Sequence, residues 1–316
     1  MDPLEKLNIK LDSTLRLGFA LSEKKHSCFF TTPKELSWFH QPASDRKTTM
    51  ARAHPLNYQG AANKVTLGEP QLISLEDFDS VHMRKDPPFD LDYLAATWIL
   101  SAASEKTRIY NDPECLRRWN EKLIITRYPQ DTHPALLSAD VEAILEFITG
   151  PAKGDAILKP LDLFGGRGVI RTNLNTTDEA EIRRILTQET RNGEQYRLIQ
   201  PFDTSIFDGE VRVFCAGPEP VAWCLKKPTG GQFLANTRAG ATLSAYQPTA
   251  AEDTMVRRVA RDLGNEGIFF TGFDLIGGKI SEINITSPRL LAVTDDETSL
   301  YETTAQLLVD DLARPR

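Results

Sequence analysis

The sequence predicts an α/β protein, and three observations carry this. A strand stopping at Arg84 runs through a double-proline loop into a helix capped by Asp90, a layout that brings ligand groups to the carboxyl end of a strand. Short apolar strands then recur between helical stretches, at 156–162, 198–202, 211–215 and 221–225, as expected of packed layers of sheet and helix. Finally, 273–288 reads as a β-hairpin whose second strand carries Glu282 and Asn284 on one face and turns Ile283 and Ile285 to the core.

In chain order, Ser13 to Lys25 reads as a helix with Leu15, Phe19 and Leu21 on its apolar side, followed by a short strand at 27–32. Gln41 to Glu69 is polar and mixed, a loop and a hairpin. Leu72 to Met83 leads into the strand that ends at 84–90, where Pro87-Pro88 forbids continuation of helix or ladder. The helix after Asp90 places Leu91, Leu94, Ala95, Trp98 and Ile99 on its buried side. Asn111-Asp112-Pro113 opens a new segment, 119–122 falls in a short helix or at its edge, and a domain boundary is placed near 120. Between Leu174 and Glu189 a helix has Thr177 and Asp178 as cap candidates, with Glu181 following. Leu198 to Phe202 is a kinked strand, and 211–215 and 221–225 pair. Pro228 to Ser244 is Gly-rich and reads as a mobile flap. A helix over Ala250–Gly264 precedes the hairpin.

At 316 residues the chain is long enough for two or three domains around a shared cleft. Its 37 basic and 44 acidic residues leave a net charge of −7, which argues against nucleic acid or an anionic membrane as partner. No apolar run reaches the roughly 18 residues of a membrane span, and the first residues form no signal peptide. Cys28, Cys115, Cys215 and Cys224 show neither C-x-x-C spacing nor histidine clustering. A zinc site or disulfide framework is not expected, and a reducing cytoplasm fits.

The hairpin is the richest chemistry. Two carboxylates and an amide are hard donors suited to Mg²⁺ shared with nucleotide phosphates, although an ordinary edge hairpin with solvated acids carries the same pattern. Asp274 joins Glu282 on one face only where the two are paired. A two-residue Gly277-Gly278 turn pairs Asp274 with Ser281 instead, so the connection must be odd in length, such as three residues, or contain a bulge. Gly165 and Gly166 belong to a Gly-Gly-Arg-Gly loop, too short for a P-loop, whose backbone N–H groups can approach phosphates. Lys159 ends a strand before a proline, as either a phosphate-neutralising cation or a solvated lysine. Lys122 by itself reads as an exposed lysine. Arg212 alternates with Val211 and Val213, and Asp208 lies in a turn nearby. The scattered histidines have no nucleophile signature beside them, which excludes triad-type hydrolysis.

The order of these elements resembles the ATP-grasp superfamily, and the detail resembles bacterial glutathione synthetase. The strings MDP at the start, ARAH at 51–54, MRKDPPFD at 83–90, NEKL at 120–123, LKPLD at 158–162 and EINITSP at 282–288 carry the resemblance over nearly the whole chain. It implies an ATP-grasp fold, two α+β lobes that grasp ATP between them, behind a Rossmann-like N-terminal domain, divided as 1–120, 121–202 and 203–316. It also implies that Lys122 and Lys159 bind ATP phosphates, that 163–169 is a lid over them, and that Gln200, Pro201 and Phe202 form the adenine hinge with Asp208 contacting the nucleotide. Asp274, Glu282 and Asn284 fall at the positions of Mg²⁺ ligands, with Mn²⁺ as a substitute. Arg212 and Asn236 fall where groups steady the acyl phosphate and nucleotide phosphate. Arg84, Asp86, Lys227, Ser287 and Arg289 fall in the substrate region.

The implied reaction joins γ-glutamylcysteine to glycine through an acyl phosphate, giving glutathione, ADP and phosphate, in a cytoplasmic homo-oligomer. Two other readings accompany it: a related ligase with another donor or acceptor, and an ATP-binding homologue without catalysis. The chain departs from the family in four places. The family usually opens with a strand before M-D-P, whereas Met1 is that methionine here, so either the chain start is set one strand late or the first sheet lacks a strand. The flap has Leu234, Ala235, Arg238 and Gly240-Ala241-Thr242 where the family has arginine and a G-G-R run. Lys226 and Lys227 stand where an arginine is usual. Arg289 replaces a small hydroxyl residue, and its guanidinium suits an acceptor with an extra carboxylate.

Overall fold

Asp12 accepts a hydrogen bond from the Leu15 N–H and so starts α1 (Ser13–Glu23), whose Leu15, Leu17 and Ala20 are buried. The computed structural model describes residues 1–41, 46–104, 106–163, 165–237, 240–294 and 296–315; Phe164 of the Gly-rich loop and Arg238 of the flap lie outside these. After β1 (Phe29–Phe30), the stretch expected to hold a loop and hairpin contains a long strand. Here β2 (Leu36–Gln41), β3 (Arg46–Tyr58), β4 (Val65–Leu67) and β5 (Gln71–Ser74) join β1 in an antiparallel sheet, with β3 pairing all four others. Thr49, Ala51 and Ala53 of β3 alternate inward. The short, polar residues of this strand gave no apolar run to read.

The strand expected over 72–83 is split in two by a helical turn at Leu75–Asp77. Its second part, β6 (Ser80–His82), pairs in parallel with β7 (Arg108–Tyr110), and α2 (Leu91–Ala103) is the crossover between them. Asp90 caps α2 as anticipated, accepting from the Tyr93 N–H at 2.9 Å. Its buried face is not the expected one: Tyr93, Ala96, Thr97, Leu100 and Ala103 are buried, while Leu91 is 71% and Trp98 48% exposed. The helix is apolar on most sides, so periodicity alone could not choose a face. Next, α3 (Pro113–Arg118) ends before Trp119, and residues 121–123 form a turn rather than helix.

The middle of the chain forms one sheet in the order β10-β9-β11-β8, from β8 (Leu136–Ser138), β9 (Asp155–Pro160), β10 (Ile170–Asn173) and β11 (Arg197–Pro201). Helices α4 (Val141–Thr149) and α5 (Glu179–Glu189) cover it, burying Ile144, Ile148, Ile182 and Leu186 against Leu158 and Ile199. Asp178, rather than Thr177, caps α5. The last sheet runs β14-β13-β12-β15-β16, from β12 (Glu210–Ala216), β13 (Glu219–Lys227), β14 (Thr242–Ala245), β15 (Phe270–Ile276) and β16 (Lys279–Asn284). The end of the expected flap is therefore an edge strand, paired with β13 from Thr242 to Ala245. Val256, Val259, Ala260 and Leu263 of α6 (Ala250–Asn265) pack on one face of this sheet. Tyr301, Ala305 and Leu308 of α7 (Glu297–Leu312), with Leu17 and Ala20 of α1, pack against Phe214 and Phe270.

Candidate active site

Gly277 and Gly278 both have positive φ, 58° and 75°, as a tight hairpin turn of two residues requires. The pairs Ile276↔Lys279 and Leu275↔Ile280 follow, and then Asp274 pairs with Glu282, leaving Ser281 as an extra residue. The connection is thus two residues long, not three, and a bulge supplies the odd residue. Ile280, Ile283 and Ile285 are wholly buried, while Asp274, Ser281, Glu282 and Asn284 line a cleft of about 530 Å³ between the middle and last sheets.

Register with β12 and β13 then assembles a charge network. Arg212 is the Cα partner of Asp274, and Glu210 that of Lys226. Arg212 Nη1 donates to Asp274 Oδ2 at 2.8 Å, Lys226 Nζ donates to Oδ1 at 2.8 Å, and Lys226 also pairs with Glu210. Burial alone would raise the Asp274 carboxyl, but the Arg212 and Lys226 charges override it and hold it well below the usual carboxylate range. Burial pushes Glu210 the other way, up from its ordinary value, with Lys226 offsetting part of the rise. Glu210 and Lys226 were not anticipated as a pair. The signal available was Glu210 two residues before Arg212, and so on the same strand face.

Asn284 Nδ2 donates to Asp274 Oδ2 at 2.9 Å and to the Gly272 carbonyl at 3.1 Å, which leaves its Oδ1 as the amide atom able to accept. The oxygens of Asp274, Glu282 and Asn284 fit a hard divalent cation. Among the described residues no group of three His, Cys, Asp or Glu side chains is placed to hold a metal without an amide.

Both predicted lysines line this cleft. Lys122 Nζ donates to the Leu163 carbonyl at 2.6 Å and lies 3.9 Å from Glu282 Oε1. Lys159 is buried on β9; burial lowers its ammonium, while the Glu282 and Glu210 carboxylates pull it back up. Gly165 and Gly166 stand at positive φ. Asn236 Nδ2 donates to the Gly165 carbonyl, and a Cβ on Gly166 would lie 3.5 Å from Leu234, so loop and flap touch.

Gln200, Pro201 and Phe202 line the cleft at the end of β11. The Arg171 guanidinium lies 3.6 Å over the Phe202 ring, and Phe233 of the flap meets that ring edge-on at 6.0 Å. Asp208 is exposed and outside the cleft; the acid facing it there is Asp203, 3.0 Å from His133 Nε2. A one-turn helix at Thr204–Phe207, capped by Asp203, separates the two acids.

At the far end Asp86, Ser287 and Arg289 line the cleft. Burial raises the Asp86 carboxyl, and its backbone N–H donates to Asp2 Oδ2 at 2.9 Å. Arg84 does not line it. It is buried behind, donating to the Pro288 carbonyl at 2.8 Å and Thr14 Oγ1 at 3.2 Å, with its guanidinium 5.5 Å over Phe270. Lys227 is exposed and directed away, since strand alternation gives the inward position to Lys226.

Residues 1–117 match the prokaryotic glutathione synthetase N-terminal domain, and residues 121–298 match the prokaryotic glutathione synthetase ATP-grasp domain. The glutathione synthetase of Shewanella oneidensis is 34% identical over 294 residues, covering 92% of this chain and 90% of that protein. That of Pseudomonas syringae pv. tomato is 33% identical over 299 residues, with 94% and 90% covered. Among solved structures, a RimK domain protein ATP-grasp from Sphaerobacter thermophilus superposes with a TM-score of 0.59 at 16% identity, covering 96% of each chain. The macrocyclase MdnC bound with precursor peptide MdnA from Microcystis aeruginosa superposes with a TM-score of 0.62 at 13% identity, covering 94% of this chain and 96% of that one. At such identities the likeness concerns the fold alone.

Proposed function

The chain belongs to the prokaryotic glutathione synthetase family and is an ATP-grasp carboxylate–amine ligase, and from that premise we propose that it joins γ-glutamylcysteine to glycine, with ATP cleaved to ADP and phosphate. The observation that supports this most is the meeting of Lys122, Lys159, Arg212 and the Asp274–Glu282–Asn284 face in one cleft. Asp274, Glu282 and Asn284 would hold Mg²⁺, or Mn²⁺ in its place, and such an ion would supply positive charge against that gathering on the transferred phosphoryl group.

Lys122 and Lys159 neutralise the nucleotide phosphates, Gly165 and Gly166 cover them, and Gln200 to Phe202 bind the base. The donor carboxylate attacks the γ-phosphorus to give an acyl phosphate and ADP. Arg212 steadies that acyl phosphate, and Asn236 steadies the nucleotide phosphates, through donors already fixed in place. The glycine amine then displaces phosphate at Ser287 and Asp86, under a flap whose contact with the Gly loop keeps water out. No protein nucleophile is needed. This reading divides the chain at about 120 and 202. It also places the protein in the cytoplasm as a homo-oligomer, in keeping with four free thiols and with no helix of the described residues long and apolar enough to cross a membrane.

A second reading rests on Arg289, which adds a guanidinium to the acceptor end of the cleft and favours an acceptor with a second carboxylate. A coupled ADP-release assay over a grid of donors and acceptors separates the two. The first expects the greatest kcat/KM for γ-glutamylcysteine with glycine. Turnover of γ-glutamylcysteine with aspartate or glutamate but not glycine would establish the second, and no turnover with any pair would overturn both.

A further inference from the structure

Glu121 borders the cleft but has no part in the chemistry above, and its buried carboxylate takes three donors on one oxygen. Its Oε1 accepts from the backbone N–H groups of Ile285 and Thr286, both at 2.8 Å, and from the Thr286 hydroxyl at 2.7 Å. Its backbone carbonyl accepts from the Ile283 N–H at 3.4 Å. All these donors lie on or just beyond β16, which is the edge strand of its sheet and has β15 on one side only. The outer edge is otherwise met at Ile280, whose N–H donates to the Asp131 carbonyl at 2.8 Å. Glu121 therefore supplies the missing partner along the part of β16 that carries Glu282 and Asn284.

Its neighbours extend the brace. Lys122, the next residue, reaches Glu282 at 3.9 Å. Asn120, the residue before, accepts from the Lys122 N–H at 2.9 Å and donates to the Leu161 carbonyl at 3.1 Å, at the base of the Gly-rich loop. Three consecutive side chains thus tie the junction after α3 to the metal-side strand and to the phosphate loop. Burying a carboxylate without a cation in contact is costly, and burial does raise Glu121 above its ordinary value, with the Thr286 donors offsetting part of the rise. The position is nonetheless filled by a group with two strong acceptor oxygens.

We propose that Glu121 is a positioning residue: it fixes the outer edge of β16, and through it the Glu282 and Asn284 oxygens, in register with the Lys122 ammonium. The inference rests on the reading of Asp274, Glu282 and Asn284 as metal ligands. It does not require Glu121 to touch substrate, nucleotide or metal.

The test measures binding rather than turnover. Affinity for Mn²⁺·ADP, read by the Mn²⁺ paramagnetic resonance signal, is compared with affinity for ADP in chelator, read by calorimetry, on the full chain. Glu121→Ala is expected to weaken Mn²⁺·ADP by about tenfold or more, the usual size of an effect exerted behind the ligands, and to leave metal-free ADP within about twofold. Glu121→Gln keeps one acceptor oxygen and is expected to recover most of the loss. Should Glu121→Ala not fold by circular dichroism, Thr286→Val removes one donor from the same oxygen and is expected to give a smaller loss of the same selective kind. A folded variant that binds Mn²⁺·ADP like the parent, or loses both affinities equally, overturns the proposal. If the parent protein itself binds ADP no better with Mn²⁺ than without, the metal assignment has failed, and the role of Glu121 falls with it.

Discussion

Asp274 and Glu282 are Cα partners across the β15–β16 hairpin, and the extra residue Ser281 is what makes them so. The register is anchored at Gly277, where φ is +58° and an added Cβ would lie 2.7 Å from Asp203 Oδ2. Both the backbone conformation and the space exclude a side chain. Gly277→Ala is expected to destabilise the fold by about 1–3 kcal/mol, lowering the melting temperature by several degrees. Gly278→Ala meets nothing within 4 Å and pays only the backbone strain. Equal melting temperatures for the two variants would show that the Asp203 contact does not matter.

Lys226 and Lys227 offer a sharp pair. Lys226 holds the buried Asp274 carboxylate and the half-buried Glu210 carboxylate, while Lys227 is exposed. Removing one partner of a buried ion pair costs about 3–5 kcal/mol, and the geometry of a charge-stabilising site about 10²–10³ in kcat. Lys226→Met is therefore expected to lose both stability and ADP-forming turnover, and Lys227→Met neither. Comparable turnover losses in the two variants would return Lys227 to the site.

Much of this was legible in the sequence because it is local. Glu282 and Asn284 share a face by strand alternation, Asp90 and Asp178 cap the helices they precede, and Lys159 ends its strand. The rest was not legible where tertiary pairing decides. Which of two adjacent lysines faces the cleft depends on β12–β13 register, and that register shifts at a bulge between Phe214 and Cys215. That Asp203 rather than Asp208 lines the cleft depends on one helical turn between them. The face of α2 depends on its neighbours, since its own residues are apolar on most sides. Glu121 gave no signal at all, because its three donors lie 164 and 165 residues away.

His82 should give the fold an acid-side weakness. It stacks on Tyr110 at 5.2 Å, shares a hydrogen bond with Ser80 Oγ at 3.1 Å, and burial, with Arg84 nearby, lowers its pKa from 6.5 to about 4. Between those values the unfolded chain takes up a proton that the folded chain refuses. This contribution to stability is complete above pH 6.5 and is lost as the pH falls toward 4. The melting temperature is expected to drop between pH 7.5 and pH 5, by roughly the few degrees that follow from 1–2 kcal/mol, and to drop less in His82→Phe. An identical drop in both proteins would assign the weakness to other groups.

Arg84 separates a supporting role from a binding one. Sequence order places it in the substrate region, but its guanidinium is buried behind the cleft, on the Pro288 carbonyl and the Phe270 ring. Pro288 lies between Ser287 and Arg289, both of which face the cleft, so Arg84 holds the segment that presents them. Arg84→Met leaves a buried carbonyl without its donor, a loss of about 1–3 kcal/mol, and frees the presenting segment. The melting temperature is expected to fall by several degrees, with the KM of both donor and acceptor rising together by a small factor. An unchanged melting temperature with a rise confined to the donor KM would instead mean that Arg84 touches the donor directly.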